Sequence, residues 1–177
     1  TSILAQYIES DYKIDREYRK FYYEFDQLKE MHLFERLREL VENIYTNEYL
    51  SELLTKWNQG LKEEGILKKL PLQIDFYTRN ISNAKERTVV IISDAMRYEL
   101  GQELYGILSD DPRCRVKSDV QLSVLPSYTR LGMAALLPHS SITMTDDYQV
   151  MVDGLPCDNL AKRQAILRKY SPNSICC

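Results

Sequence analysis

The chain has 177 residues, of which 44% are hydrophobic and 28% charged, and its formal net charge is −3 at pH 7. This composition is typical of a globular protein with one sizeable core, and it lacks the overall basic character of most nucleic-acid-binding proteins. The sequence has no long uncharged apolar run, which excludes a transmembrane helix, and its four cysteines have no metal-binding or disulfide-framework spacing, so we expect a reduced, cytoplasmic protein.

The first part of the sequence predicts helices. Proline is absent up to residue 69 and the first glycine is Gly60, as expected of a helical region. Apolar residues three and four positions apart predict helices over residues 14–30 and 33–44. Thr46 or Asn47 is a candidate N-cap for a third helix, because a short polar side chain there satisfies free backbone amides.

Gly65 and Pro71 interrupt this pattern, and one more short helix is predicted around Phe76. We therefore assign residues 1–86 to an all-helical region. The chain begins without an initiator methionine or a signal-peptide pattern, so we expect it to start inside a longer polypeptide.

The composition changes at residue 88. Residues 88–93 read Thr-Val-Val-Ile-Ile-Ser, and such a short run of β-branched apolar residues predicts a strand buried on both faces of a parallel sheet. Asp94 follows at once, where open α/β sheets place their ligands. A helix is predicted from Arg97 to Leu108, and residues 115–122 show strand-like alternation.

A second notable turn precedes another predicted helix. Ser127 and Thr129 follow Pro126 and stand at the beginning of an apolar helical segment that starts at Arg130 and ends before Pro138. Free amides and the positive end of the dipole at a helix N-terminus favour anions and ease the ionisation of an attacking hydroxyl. This turn is therefore a candidate for nucleophilic chemistry.

The remaining sequence predicts two short strands, over residues 141–145 and 149–152, and a final helix over residues 159–169. The strands are separated by acidic turns, in which we assign Asp146, Asp147 and Asp153 to structural roles. Strands alternating with helices predict an α/β fold with a parallel or mixed sheet over residues 87–177.

The two turns together suggest phosphoryl transfer. That reaction uses divalent metals held by carboxylates and imidazoles, with a nucleophile activated by the metal. Asp94 supplies a carboxylate and Thr129 a hydroxyl, and both are expected at the same edge of the sheet. The alternative for Asp94 is a helix cap, and His32 and His139 have no metal-ligand spacing, so we assign both to structural roles.

Two segments of the sequence resemble the PglZ family. They are Ile-Ser-Asp-Ala-Met-Arg-Tyr-Glu, residues 92–99, and Leu-Pro-Ser-Tyr-Thr-Arg-Leu-Gly-Met-Ala-Ala-Leu-Leu-Pro-His, residues 125–139. That family is a component of BREX phage-resistance systems in bacteria and belongs to the alkaline phosphatase superfamily. Weaker similarity extends upstream, over residues 14–19 and 43–50, into the helical region.

The resemblance implies roles for five residues. It makes Asp94 a metal ligand and Thr129 the nucleophile and a second ligand, with Ser127 as the alternative nucleophile. Arg97 and Arg130 become phosphate contacts, because a guanidinium binds phosphate oxygens in pairs; their alternative is surface charge or pairing with Glu99 or Asp119. The implied cofactors are divalent metal ions, zinc above all, and the implied partners are other BREX proteins and a phosphodiester or nucleic-acid substrate.

The sequence also departs from the family pattern. The superfamily has further Asp and His metal ligands late in the chain, and none of that kind is recognisable here. We therefore expect residues 87–177 to be the first part of an alkaline-phosphatase-like domain, inactive alone and weak in metal binding. The alternative function is a non-catalytic scaffold of the defence complex. A receiver-like domain phosphorylated on Asp94 is disfavoured, because the region before residue 88 predicts helix.

Overall fold

The computed structural model describes residues 3–62 and 70–177. The chain packs into two compact units, each built from two separate stretches: Thr1–Lys69 with Ala95–Asp119, and Leu70–Asp94 with Val120–Cys177. This division by packing differs from the predicted boundary between residues 86 and 87, which stays a prediction. The predicted break at Gly65 lies outside the described residues.

Helices are the commonest element in the described part of the chain. None of them combines the length and apolar character needed to cross a membrane. The α-helices, in chain order, are α1 (Ile3–Gln6), α2 (Tyr12–Asp26), α3 (Glu35–Asn43), α4 (Ser51–Lys62), α5 (Phe76–Asn80), α6 (Tyr98–Ser109), α7 (Thr129–Ala135) and α8 (Leu160–Tyr170). Short 3₁₀ turns occupy Met31–Phe34 and Gln73–Asp75, and π-helical turns occupy Tyr7–Asp11 and Ile44–Leu50.

In the first unit the predicted helices are present, but the predicted cap is wrong. Residues 14–30 and 33–44 correspond to α2 and to the 3₁₀ turn followed by α3. Neither Thr46 nor Asn47 caps a helix, because the π-helical turn Ile44–Leu50 connects α3 directly to α4. A π-helical turn takes up extra residues without ending the helix, so the chain stays helical where a cap was expected.

Buried polar contacts connect the helices of this unit. The buried Asp15 carboxylate accepts hydrogen bonds from Tyr7 at 2.5 Å and from Tyr45 at 2.8 Å. Glu99, on α6, is 1% exposed and pairs with Arg19 on α2. Each buried carboxylate thus has partners, as the cost of burying a charge requires.

The second unit contains a small sheet packed against two helices. Strands β1 (Ile142–Met144), β2 (Val150–Val152) and β3 (Leu155–Pro156) form an antiparallel sheet in the order β1-β2-β3. Residues of β2, α7 and α8 supply most of its core, which is formed by Ala134, Leu137, Val150, Val152, Cys157 and Ile166. This core anchors α7, whose first residue is Thr129.

The predicted buried strand over residues 88–93 is not found. These residues form no strand, and Val89 and Ile91 are 73% and 88% exposed. The predicted strand over residues 115–122 is also absent, apart from an isolated parallel bridge between Leu72 and Leu122. A strand needs a hydrogen-bonded neighbour, and among the described residues the segment 88–93 has none. The chain therefore mixes helices with an antiparallel sheet, and the parallel sheet that was expected is not formed by its described residues.

Candidate functional site

Asp94 and Thr129 lie side by side in the second unit. The Thr129 hydroxyl donates hydrogen bonds to the Asp94 carboxylate oxygens, at 3.2 Å to Oδ2 and 3.5 Å to Oδ1. Both residues are exposed, so a solute can reach the hydroxyl and the carboxylate. The two turns singled out in the sequence therefore meet, although the strand expected to bring them together is absent.

Local structure explains how Thr129 is held. The Tyr128 amide donates to the Pro126 carbonyl at 3.0 Å, and the Gly132 amide donates to the Tyr128 carbonyl at 3.0 Å. Tyr128 is extended, at φ −119° and ψ 152°, so α7 begins at Thr129. Ala134 and Ala135 are fully buried, and small side chains at the end of this short helix let it pack closely against the core.

The alternative nucleophile is placed differently. Ser127 is exposed, and its hydroxyl makes no hydrogen bond to any residue in the described ranges. Of the two candidate hydroxyls, only that of Thr129 contacts Asp94. The geometry thus favours Thr129, and a catalytic role for either residue stays a prediction.

Arg130 borders a cleft in the second unit. The cleft has a volume of about 210 Å³, and Val150, Pro156 and Cys157 contribute to its lining, as do Gln149, Asp158 and Lys162. Arg130 is exposed and forms no ion pair with another described residue. A hydrogen bond from Lys162, 2.7 Å long, holds the pKa of Asp158 below its usual range. The positive charge of Arg130 also helps to lower the pKa of Asp158, and Arg130 directly follows Thr129 in the chain.

Arg97 belongs to the first unit, where it directly precedes α6 and is exposed. Its predicted role as a phosphate contact stays a prediction. Glu99, a predicted alternative partner of the candidate arginines, pairs with Arg19.

The described residues do not complete a metal site. Asp94 and Thr129 offer one carboxylate and one hydroxyl, whereas zinc in proteins takes about four ligands, mostly nitrogen and sulfur donors. Within residues 3–62 and 70–177, no group of three or more His, Cys, Asp or Glu side chains is arranged to hold a metal ion. His139 Nδ1 instead lies 2.6 Å from the Leu137 carbonyl. The two oxygen groups thus fit at most part of a metal coordination shell.

One residue near the site carried no sequence signal. Gln73 Oε1 accepts hydrogen bonds from the Val124 amide and the Ser123 hydroxyl, both at 3.1 Å, and Gln73 Nε2 donates to the Gly132 carbonyl at 3.3 Å. A lone glutamine in a short polar stretch predicts nothing about partners fifty residues away. Its contacts emerge only from the fold.

Comparison with known proteins agrees with the family resemblance seen in the sequence. Residues 76–176 match the family model described as "BREX system PglZ alkaline phosphatase-like domain". No solved structure gives a significant match to the chain.

Two curated relatives cover almost the whole chain. One is the "Alkaline phosphatase-like protein PglZ" of Bacillus cereus (strain H3081.97), 41% identical over 174 aligned positions, covering 94% of this chain and 20% of the relative. The other is the "Alkaline phosphatase-like protein BrxZ" of Escherichia coli O9:H4 (strain HS), 34% identical over 183 aligned positions, covering 96% of this chain and 21% of the relative. The chain thus spans about one fifth of the length of these relatives.

Proposed function

Because the chain belongs to the PglZ family of alkaline-phosphatase-like BREX proteins, we propose that Asp94 and Thr129 form part of the active site of a metal-dependent phosphatase or phosphodiesterase. This enzyme would act in bacterial defence against phage. The observation that carries the proposal is the hydrogen bond from the Thr129 hydroxyl to the Asp94 carboxylate.

In the proposed reaction Thr129 is the nucleophile. The Asp94 carboxylate accepts the hydroxyl proton, which leaves a lone pair of Thr129 Oγ free to attack phosphorus. The new bond joins Thr129 Oγ to phosphorus, the bond from phosphorus to the leaving oxygen breaks, and that oxygen takes up the proton held by Asp94. Water then attacks phosphorus in the phosphothreonine, the bond from phosphorus to Thr129 Oγ breaks, one proton of the water passes to Oγ, and the phosphate leaves. Exposure of both side chains is consistent with the access that a substrate needs.

Charge beside the nucleophile supports substrate binding by Arg130. This guanidinium forms no salt bridge in the described part of the chain, its charge helps to lower the pKa of Asp158, and it borders the cleft and directly follows Thr129 in the chain. Arginine binds phosphate oxygens in pairs through its planar fork of donors. We assign the same role to Arg97 on the family resemblance alone.

Divalent metal ions, zinc above all, are part of the proposal, with Asp94 and Thr129 as two of their ligands. When bound, a metal would supply positive charge to offset charge developing on the phosphoryl group. Because the described residues fall short of a complete shell, we propose that the remaining ligands come from other parts of a longer protein.

We also propose that residues 88–93 are a strand of a parallel sheet in that longer protein. Val89, Val90, Ile91 and Ile92 are between 45% and 88% exposed, and four adjacent apolar side chains so exposed are costly in water. The chain spans about one fifth of its relatives, so other segments of such a protein can supply the neighbouring strands.

A chimera tests the catalytic proposal. In it, this chain replaces the matching segment of the Bacillus cereus relative, and hydrolysis of bis(p-nitrophenyl) phosphate is measured with added divalent metal. Loss of a nucleophile typically costs on the order of 10³-fold or more in rate, so we expect Thr129→Ala to cause such a loss. The matched control is Ser127→Ala, which we expect to retain most of the rate. Equal rates for the parent and Thr129→Ala would refute the assignment.

The second candidate function is a non-catalytic scaffold that assembles with other BREX proteins. It is favoured by the exposed apolar side chains along and beside α3, namely Leu33, Leu37, Leu40 and Ile44, which are 63%, 46%, 54% and 46% exposed. Such a stripe is typical of a helix that packs against a partner. Phage defence that survives both Thr129→Ala and Asp94→Asn would favour the scaffold over the enzyme.

A further inference from the structure

Gln73 connects two segments on either side of Thr129. Its Oε1 accepts from the Val124 amide and the Ser123 hydroxyl, so both lone pairs of the carbonyl are used. Its Nε2 donates to the carbonyl of Gly132, one turn into α7. Thr129 lies between these attachment points, five residues after Val124 and three before Gly132.

The backbone of Gln73 is itself fixed to the same region. Its amide donates to the Leu122 carbonyl at 2.8 Å, and the Leu122 amide donates to the Pro71 carbonyl at 2.7 Å. The side chain therefore extends from a backbone that is already hydrogen-bonded to the segment leading to Thr129. Gln73 is partly buried, as are its hydrogen bonds with Val124 and Gly132, whereas its hydrogen bond with Ser123 is exposed.

From this geometry we infer that Gln73 is a positioning residue, which holds the loop before Thr129 and the first turn of α7 so that the hydroxyl faces Asp94. Its catalytic consequence rests on the proposed function. Gln73 precedes the region that matches the family model, which begins at residue 76. The residue is inferred to act through Thr129.

Two substitutions distinguish the hydrogen bonds that Gln73 accepts from the one that it donates. Gln73→Met keeps the approximate length of the side chain and removes all three of its hydrogen bonds. Gln73→Glu keeps both acceptors for Val124 and Ser123 but loses the donor to Gly132. Gln164→Met is the matched control, because Gln164 also makes two side-chain hydrogen bonds to backbone groups, at Ser174 and Cys176, in the same unit.

The first measurement needs no activity. In the 177-residue chain, the methyl resonance of Thr129 is recorded by NMR with and without Asp94→Asn, in the parent and in each variant. We expect Asp94→Asn to shift this resonance in the parent and in Gln164→Met, and to shift it less than half as much in Gln73→Met. In Gln73→Glu, Asp94→Asn should shift the Thr129 methyl resonance by an amount between those in the parent and in Gln73→Met. Equal shifts in the parent and in a folded Gln73→Met would overturn the inference.

The second measurement uses the chimera described above. A displacement of about 1 Å at a reacting group can cost on the order of 10²-fold in rate, so we expect Gln73→Met to lower kcat about 10- to 100-fold and to leave KM nearly unchanged. A chimera that is inactive in every form, combined with a reduced NMR shift in Gln73→Met, would refute the proposed function and support the positioning role. An unchanged kcat in Gln73→Met, in a chimera that depends on Thr129, would overturn that role.

Discussion

The Thr129 hydroxyl donates to both oxygens of the Asp94 carboxylate, at 3.2 Å and 3.5 Å, across a separation of 35 residues in the chain. A hydrogen bond between exposed groups contributes little net stability, because water competes for both partners. We therefore expect Thr129→Val, which keeps the branched shape and removes the donor, to cost at most about 1 kcal/mol. Urea denaturation followed by far-UV circular dichroism measures this, with Thr129→Ser as the control that keeps the donor. A loss above about 3 kcal/mol, the size found for core substitutions, would contradict this view of the site.

The ion pair between Arg19 and Glu99 should contribute more, because the Glu99 side chain is 2% exposed. Removing one member of a buried pair costs about 3–5 kcal/mol, and since the Arg19 side chain is 32% exposed we expect Arg19→Met to fall at or below the low end of that range. Unfolding is followed by the fluorescence of Trp57, the single tryptophan, which belongs to the same unit. Arg19→Met combined with Glu99→Leu should recover much of the loss, because no uncompensated charge remains. Equal losses in the single and double variants would rule out this explanation.

Alkaline pH should destabilise the first unit through Tyr45. Burial, assisted by the hydrogen bond to Asp15, raises the pKa of Tyr45 to about 12 from an ordinary value of 10.0. The unfolded phenol therefore loses its proton at lower pH than the folded one, so this contribution is present below pH 10 and is lost as the pH rises towards 12. We expect Tyr45→Phe to lower the free energy of unfolding at pH 8 and to flatten its decline above pH 10. The control is Tyr23→Phe, at a site that is 67% exposed, which should follow the parent. A Tyr45→Phe curve parallel to that of the parent would contradict the prediction.

Acid should destabilise the second unit through Asp153. Its carboxylate accepts hydrogen bonds from the Tyr170 hydroxyl and from the amides of Ser140 and Ser141, and these hold its pKa below the ordinary value of 3.8. The stabilisation is therefore present above pH 4 and is lost as the pH falls through the lowered pKa. We expect Asp153→Asn, which tolerates the φ of 48° found here, to weaken the dependence of stability on pH below 4. Tyr170→Phe should produce part of the same change. Urea titrations at pH 7, 4 and 3 measure both variants, and an unaltered acid dependence in Asp153→Asn would be the contrary result.

Elements with strong local signals were predicted well from the sequence. The helix predicted from Arg97 to Leu108 is α6, Tyr98–Ser109, and the final helix is α8, which begins after Asn159. The Asn159 side chain accepts a hydrogen bond from the Lys162 amide at 3.0 Å, as an N-cap does. The proximity of Asp94 and Thr129 was also predicted, but from a shared edge of a parallel sheet, which the described residues do not form.

Long-range partners could not be predicted in the same way. The apolar side chains of residues 88–93 predict burial, but the sequence does not show which strand or segment covers them. The described residues form no strand beside this segment. Glu99 pairs with Arg19, which lies eighty residues away in the chain, and Gln73 accepts a hydrogen bond from Val124, which is fifty-one residues away. Such pairs depend on how whole helices and loops pack, and they cannot be predicted from the composition of the chain or the spacing of its residues.

The hydrogen bonds of Gln73 bear on how this region can be transplanted. A polypeptide begun at Phe76, the first residue that matches the family model, would keep Asp94, Thr129 and all of α7 but would leave the amide of Val124 and the carbonyl of Gly132 without their side-chain partner. A segment grafted into another protein should therefore begin no later than Pro71, so that it includes Gln73 and keeps the hydrogen bonds that hold the loop before Thr129.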